Sequence, residues 1–278
     1  MKRCIELASK NIGYTYPNPL VGSVVVYNNK IIGEGCHAKY GESHAEVNAI
    51  NSVEDKRLLK DSVLYVNLEP CNHYGKTPPC TEAIISNNIK KVVIGSKDPN
   101  SLVNGSGIEK LKSSGCNVSE GIMNKECTEL NKRFFTYHIH KRPYIILKWA
   151  ESKDGFISPI KSVETLGKIN WISGEDAKKL SHKWRSEEHS ILVGVQTIID
   201  DNPILTTRFV KGRNPLRFVL DPNSRIPLDS RILSDSLKTI ILSKKENKLI
   251  PNYTKEIEFG NINLIIESLY NMNIQSII

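Results

Sequence analysis

With 278 residues, 39% of them hydrophobic and 24% charged, the chain can fill two packed domains and is too apolar to stay disordered. No apolar run approaches the ~20 residues of a membrane span, and Met1-Lys2-Arg3-Cys4-Ile5 opens no signal-peptide stretch, so a soluble cytoplasmic protein is expected. The net charge of +8 raises affinity for any polyanion, but the lysines are scattered, with no basic stripe or arginine cluster, which disfavours nucleic acid as a partner.

Ile5, Ala8 and Ile12 recur at helical spacing and predict a first helix. Residues 21–27, the Asn28-Asn29 turn and residues 30–34 predict a β-hairpin. A helix is predicted from about His44 through Val47, Ala49 and Ile50, then a buried strand at 63–66, then a helix from about Pro79 through Ile85. Residues 91–95 give the next strand and 107–111 the start of another helix. Met123, Cys127, Leu130 and Phe134 continue at helical spacing as one more. Strands separated by helices predict an α/β sheet covered on both faces. Lys141-Arg142-Pro143 ends the last helix, because proline cannot continue it and biases its predecessor toward extended backbone. A domain boundary is expected there, giving domains 1–142 and 143–278. Beyond it, a buried strand is predicted at 144–149 and a helix from about Glu175 with Ala177, Leu180 and Trp184 on one side. Strands follow at 191–193, 216–220, 239–242 and 274–278.

Six cysteines, at 4, 36, 71, 80, 116 and 127, argue for metal or packing roles before disulfides. A catalytic zinc takes three N and S ligands and keeps one position open. His44, Cys71 and Cys80 supply that set, and Glu46 lies two residues after the histidine, near the metal yet free to bind a proton. Pro79 suits a first helical position, placing Cys80 at a helix N-terminus that favours a thiolate. A lone His-x-Glu is weak, and His73 as a fourth ligand would make a closed structural site. Together, however, His44-Ala45-Glu46, Pro70-Cys71 and Cys80 are similar to the zinc deaminase signature. In that chemistry the zinc lowers the pKa of a water, and Glu46 carries its proton to a ring nitrogen and the departing amine.

Nucleic-acid deaminases of this signature carry Cys-x-x-Cys, whereas eight residues separate Cys71 from Cys80 here. That segment, with Pro17-Asn18-Pro19-Leu20-Val21-Gly22, Gly41-Glu42 and Asp98-Pro99-Asn100, resembles the bifunctional riboflavin-biosynthesis deaminase/reductase family, RibD, over the whole chain. The resemblance implies a cytidine-deaminase-like three-layer α/β/α domain followed by a dihydrofolate-reductase-like α/β domain. It implies a small phosphorylated pyrimidine as substrate, a diaminopyrimidinone with a ribosylamino 5′-phosphate, contacted by Asn18, His73 and Lys76. Asn18 between two prolines could equally serve a turn, and His73 could only order its loop. In the second half the resemblance implies NADPH at Ala150, Trp171, Thr197 and Asp201, and substrate at Arg185, Leu205 and Arg208. Read without it, Trp171 is ordinary core, Arg185 a solvated helix charge and residues 201–203 a turn. Ile169 and Asn202 depart from the family pattern, and the stretch from Gly155 to Trp171 is longer than usual. No glycine-rich segment follows Gly260, so an incomplete reductase beside an active deaminase is expected, with room for a homo-oligomer. The competing readings are a tRNA or nucleotide base deaminase and a non-catalytic zinc-stabilised module.

Overall fold

The computed structural model describes residues 1–278 except 102, 159–170, 246–248, 251–253, 258 and 260. Ile169 and Gly260, singled out above, lie outside the described residues. The chain divides into two compact units, Met1–His140 and Lys141–Ile278.

In the first unit the elements run α1 (Lys2–Ser9), β1 (Gly22–Tyr27), β2 (Lys30–Cys36), α2 (Ala45–Ser52), a 3-10 turn (Lys56–Asp61), β3 (Val63–Leu68), α3 (Cys80–Ser86), β4 (Lys91–Ser96), α4 (Ser106–Ser113), β5 (Asn117–Ser119), α5 (Asn124–Leu130) and α6 (Lys132–His140). The sheet order is β2-β1-β3-β4-β5. β1 is antiparallel to β2 and β3, while β3, β4 and β5 are parallel. Asn28 and Asn29 both take positive φ, 47° and 59°, which suits the twist of a two-residue hairpin. Alternation along the strands sorts the core. Val25, Leu64 and Val66 pack with Ala49 of α2, Ile84 of α3 and Ile108 of α4, whereas Val24 and Tyr65 pack with Cys4 and Leu7 of α1. The result is the three-layer α/β/α arrangement expected. Gly33 and Gly35 let α2 lie directly on β2, since a methyl at Gly35 would overlap the backbone of Ala45 and Ala49.

Three details differ from expectation. α1 stops at Ser9, leaving Ile12 outside it. Pro79 is the N-cap of α3 (φ −58°, ψ 137°), so Cys80 is itself the first helical residue. The single helix expected over Met123 to Phe134 is two, interrupted at Asn131 (φ −99°, ψ 18°), whose buried side chain is engaged elsewhere.

The second unit holds β6 (Tyr144–Ile145), α7 (Glu175–Glu187), β7 (Ser190–Gly194), α8 (Val195–Asp201), β8 (Leu216–Leu220), β9 (Thr239–Ser243), β10 (Thr254–Glu256), α9 (Ile262–Asn271) and β11 (Ser276–Ile277). Its sheet order is β10-β9-β8-β7-β11-β6, with every pair parallel. Val219 and Ile241 face Ile198 of α8, and Phe218 and Leu242 face Ile265 and Leu269 of α9. The buried strand expected at 144–149 is two residues long, because only Tyr144 and Ile145 find register partners in the equally short β11, and Leu147 and Trp149 are exposed. The apolar side of α7 is not its most buried one: Ala177 and Leu180 are exposed and Trp184 is half-buried, whereas His182 and Ser186 are buried. The inward groups are polar and hydrogen-bonded, so apolar spacing points to the wrong face. Among the described residues, no helix is long and apolar enough to cross a membrane.

Candidate active site

β3 delivers the chain to Glu69-Pro70-Cys71. The Glu69 carboxylate is buried and accepts four backbone N–H groups: Gly107 and Ile108 at 3.0 and 3.2 Å on one oxygen, Gly105 and Asp98 at 3.0 and 3.2 Å on the other. These are the donors at the start of α4 and in the loop before it. A carboxylate is favoured there by unpaired amides and helix dipole alike, and the contact anchors the peptide next to Cys71.

His44 is the N-cap of α2 (φ −74°, ψ 163°), and Cys80 opens α3. Three donor atoms therefore converge from the ends of three elements. His44 Nδ1 lies 3.2 Å from Cys80 Sγ and 3.5 Å from Cys71 Sγ, and the Cys80 N–H donates to Cys71 Sγ at 3.4 Å. All three ligand atoms fall within 4.8 Å of one another. Ligands about 2.0–2.3 Å from a tetrahedral zinc stand about 3.5–3.8 Å apart, and the two His44 Nδ1–sulfur separations lie within a few tenths of an ångström of that. His73 is exposed and, among the described residues, does not join this group.

The electrostatics agree with a cation site. The hydrogen bond between the two thiols draws Cys71 down to about 4 and pushes Cys80 up, so the pair holds one proton where free thiols hold two. Bonding to Cys71 raises His44. Glu46, in the first turn of α2, is 3% exposed, and burial followed by the Cys71 sulfur pushes its carboxyl up to about 7. The six cysteines form no disulfide, and Cys4, Cys116 and Cys127 are buried packing residues.

Around this centre, Asn18 Nδ2 is 3.0 Å from His37 Nε2, and His37 Nδ1 is 3.2 Å from the Ser43 carbonyl. A carbonyl only accepts, so Nδ1 carries the hydrogen and Nε2 accepts from Asn18, which fixes both the tautomer and the amide. His37 is buried, burial holds its pKa below the ordinary value, and its ring stands edge-on to His44 with centroids 5.3 Å apart. Sequence reasoning missed His37; the only available signal was a histidine placed where the predicted hairpin meets the helix of His44. His73 and Lys76 are exposed on the loop between the cysteines, with the Lys76 ammonium 4.1 Å over the Tyr40 ring.

In the second unit the structure brings Arg185 and Arg208 together around one threonine. Arg185 Nη1 donates to the Thr206 carbonyl at 3.2 Å, and Arg208 Nη1 donates to Thr206 Oγ1 at 3.0 Å. The Arg208 N–H donates to Nδ1 of buried His182 at 2.9 Å. Burial and then Arg208 lower Arg185 to about 10, and burial and then Arg185 lower Lys148. Such gathered cations suit a phosphate. Leu205 has its side chain in the core, packed with Ile198 and Val219, and its main chain takes φ 57°. Asn202, at φ 39°, caps α8 and accepts the Arg231 N–H on Oδ1 at 2.9 Å, a left-handed position that asparagine tolerates. Thr197 and Asp201 sit one turn apart on α8, Trp171 is half-exposed with Lys178 Nζ 3.8 Å over its ring, and Ala150 lies in an irregular segment. A hydroxyl and a carboxylate one turn apart on one helix face are groups of the kind a ribose takes.

Two family models match the chain: a cytidine and deoxycytidylate deaminase zinc-binding region over residues 1–96, and a RibD C-terminal domain over residues 143–278. The riboflavin biosynthesis protein RibD of Aquifex aeolicus is 46% identical over 250 residues, covering 89% of this chain and 68% of that protein. A diaminohydroxyphosphoribosylaminopyrimidine deaminase/5-amino-6-(5-phosphoribosylamino)uracil reductase from Thermotoga maritima superimposes with a TM-score of 0.89 at 39% identity, covering 100% of this chain and 78% of that one. A RibD from Acinetobacter baumannii gives 0.90 at 33% identity, covering 99% and 78%. The chain thus spans 68 to 78% of the length of these proteins.

Proposed function

The chain belongs to the RibD family, and from that premise we propose that it hydrolyses an amine from a diaminopyrimidinone ribosylamino 5′-phosphate, releasing ammonia and the aminouracil. It is a zinc-dependent deaminase of riboflavin biosynthesis with a reductase-like second domain. The convergence of His44 Nδ1, Cys71 Sγ and Cys80 Sγ beside a buried, unligated Glu46 carries this reading.

His44, Cys71 and Cys80 would hold the zinc, which when bound supplies Lewis acidity that brings a water from a pKa of about 15.7 toward about 7. Glu46 takes a proton from the attacking water on its carboxylate. It delivers that proton to a ring nitrogen, then takes the second proton from the added hydroxyl and gives it to the leaving amine as the C–N bond breaks and the C=O forms. Asn18, oriented by His37, meets the pyrimidine edge. Lys76 exchanges the Tyr40 ring for the substrate phosphate, acting as a point charge, and His73 closes on the same loop.

In residues 143–278 we assign the phosphate of the deaminated product to Arg185 and Arg208, with the Leu205 main chain beside it. NADPH, which would supply the hydride that turns ribosyl into ribityl, is assigned to Ala150, Trp171, Thr197 and Asp201. Six unpaired thiols suit a reducing compartment, and we place the protein in the cytoplasm. The test is incubation of zinc-loaded protein with the diaminopyrimidinone ribosylamino 5′-phosphate, with and without NADPH, and product identification by mass spectrometry. Deamination independent of NADPH is expected. Unchanged substrate in the presence of bound zinc would overturn the reading, and a product also reduced would establish the second activity.

A further inference from the structure

We infer that Asn131, at the junction of α5 and α6, is a positioning residue for the deaminase site, clamping the Leu20 peptide and so setting where Asn18 stands. The inference rests on the reading that Asn18 holds the pyrimidine edge.

In Pro17-Asn18-Pro19-Leu20 the prolines have no N–H, so the segment owns two donors. The Asn18 N–H goes to the Thr15 carbonyl at 2.8 Å. The Leu20 N–H goes to Asn131 Oδ1 at 2.8 Å, across 111 residues of sequence. The Leu20 carbonyl accepts from Asn131 Nδ2 at 2.9 Å and from Asn67 Nδ2 at 2.9 Å, while Asn67 Oδ1 takes the Gly22 N–H at 2.7 Å. Asn131 therefore exchanges two hydrogen bonds with one residue, as a neighbouring strand would, at a point just before β1 begins.

Both asparagines are buried, at 2% and 0% exposure, and burying an amide costs free energy unless its polar atoms are paired. The helix itself has no use for an amide here. Asn131 interrupts a sequence whose apolar spacing runs on to Phe134, and its own N–H and carbonyl still bond to Cys127 and Phe135. What the side chain secures is the far end of a short, proline-stiffened lever. Leu20 is held on both polar groups, Pro19 fixes one dihedral, and Asn18 is thereby presented to His37 Nε2 at 3.0 Å.

The experiment compares zinc content, kcat and KM for the diaminopyrimidinone ribosylamino 5′-phosphate in the full chain and in Asn18→Ala, Asn131→Ala and double variants. Asn131→Ala is expected to keep its zinc and lose about tenfold in kcat/KM, as loss of a hydrogen-bonded anchor predicts. The double variant should be no worse than Asn18→Ala alone, because residues acting through one contact are not additive. A folded, zinc-loaded Asn131→Ala within about twofold of the parent, or losses that multiply in the double variant, would overturn the proposal. An Asn18→Ala chain as active as the parent removes the reading beneath it instead, so the two failures are told apart. Should Asn131→Ala not fold, Asn131→Asp keeps an acceptor for the Leu20 N–H and carries the same comparison. If neither variant folds with zinc, Asn131 is a folding residue only and the proposal falls.

Discussion

Glu46 and His182 are both buried ionisable groups, and burial serves them differently. At Glu46 it raises the carboxyl to about 7, where a group can both take and return a proton near neutrality. Glu46→Gln keeps the shape and loses the proton carrier, so kcat should fall by about 10²–10⁴ or more while zinc content, measured by atomic absorption, is unchanged. At His182 burial, followed by Arg185 and Arg208, lowers the imidazole to about 4 from its ordinary 6.5. Unfolding then takes up a proton between pH 4 and 6.5, so the contribution of neutral His182 is complete above 6.5 and is lost as pH falls toward 4. Urea titrations should show stability declining by up to about 1.4 kcal/mol per pH unit from this group, with a shallower decline in His182→Asn. Residue types that only one chemistry requires were legible from sequence: His44, Glu46, Cys71 and Cys80. His37 was not, because its role comes from the amide and carbonyl it touches, and Leu205 was legible only as a position, its side chain belonging to the core.

Among the elements, the start of α4 is held by a residue from another strand's end. Glu69 satisfies four backbone donors there, and Glu69→Ala would leave them buried without an acceptor. We expect a loss of roughly 2–4 kcal/mol in unfolding free energy together with weaker retention of zinc in a chelator titration, since Cys71 follows two residues on. Stability lost with zinc affinity unchanged would separate Glu69 from the metal centre. Elements with strong periodicity or clear punctuation were readable: the Asn28-Asn29 hairpin, β3, β4, β8 and β9 all lie where alternation and turns put them. Those decided by distant partners were not. α5 and α6 part at Asn131 because its amide serves Leu20, and α7 turns His182 inward where its Nδ1 accepts the Arg208 N–H, while Ser186 lies inward bonded to the Lys183 carbonyl of its own helix. β6 ends after two residues because its neighbour does. α9 was readable after the fact from Asn261, whose Oδ1 accepts the N–H groups of Asn263 and Leu264, a cap preceding an apolar spacing.

For the molecule as a whole, each unit has its own apolar core, and the metal ligands all lie in the first. Chelation should therefore lower one calorimetric transition by roughly 5–10 °C and leave the other in place, since a ligand stabilises only the structure that binds it. A common shift of both would mean a single cooperative block. The layer that carries His44 and Glu46 rests on β2 through Gly33 and Gly35, two positions where a single methyl would collide with the backbone of α2. Neither glycine offers a functional group. In a saturating mutational scan they should nevertheless behave like ligands, with almost every substitution depleted, because the distance from helix to strand is written there as an absence. Designers grafting this metal site onto another sheet would have to copy that bare stretch of strand along with the residues that bind.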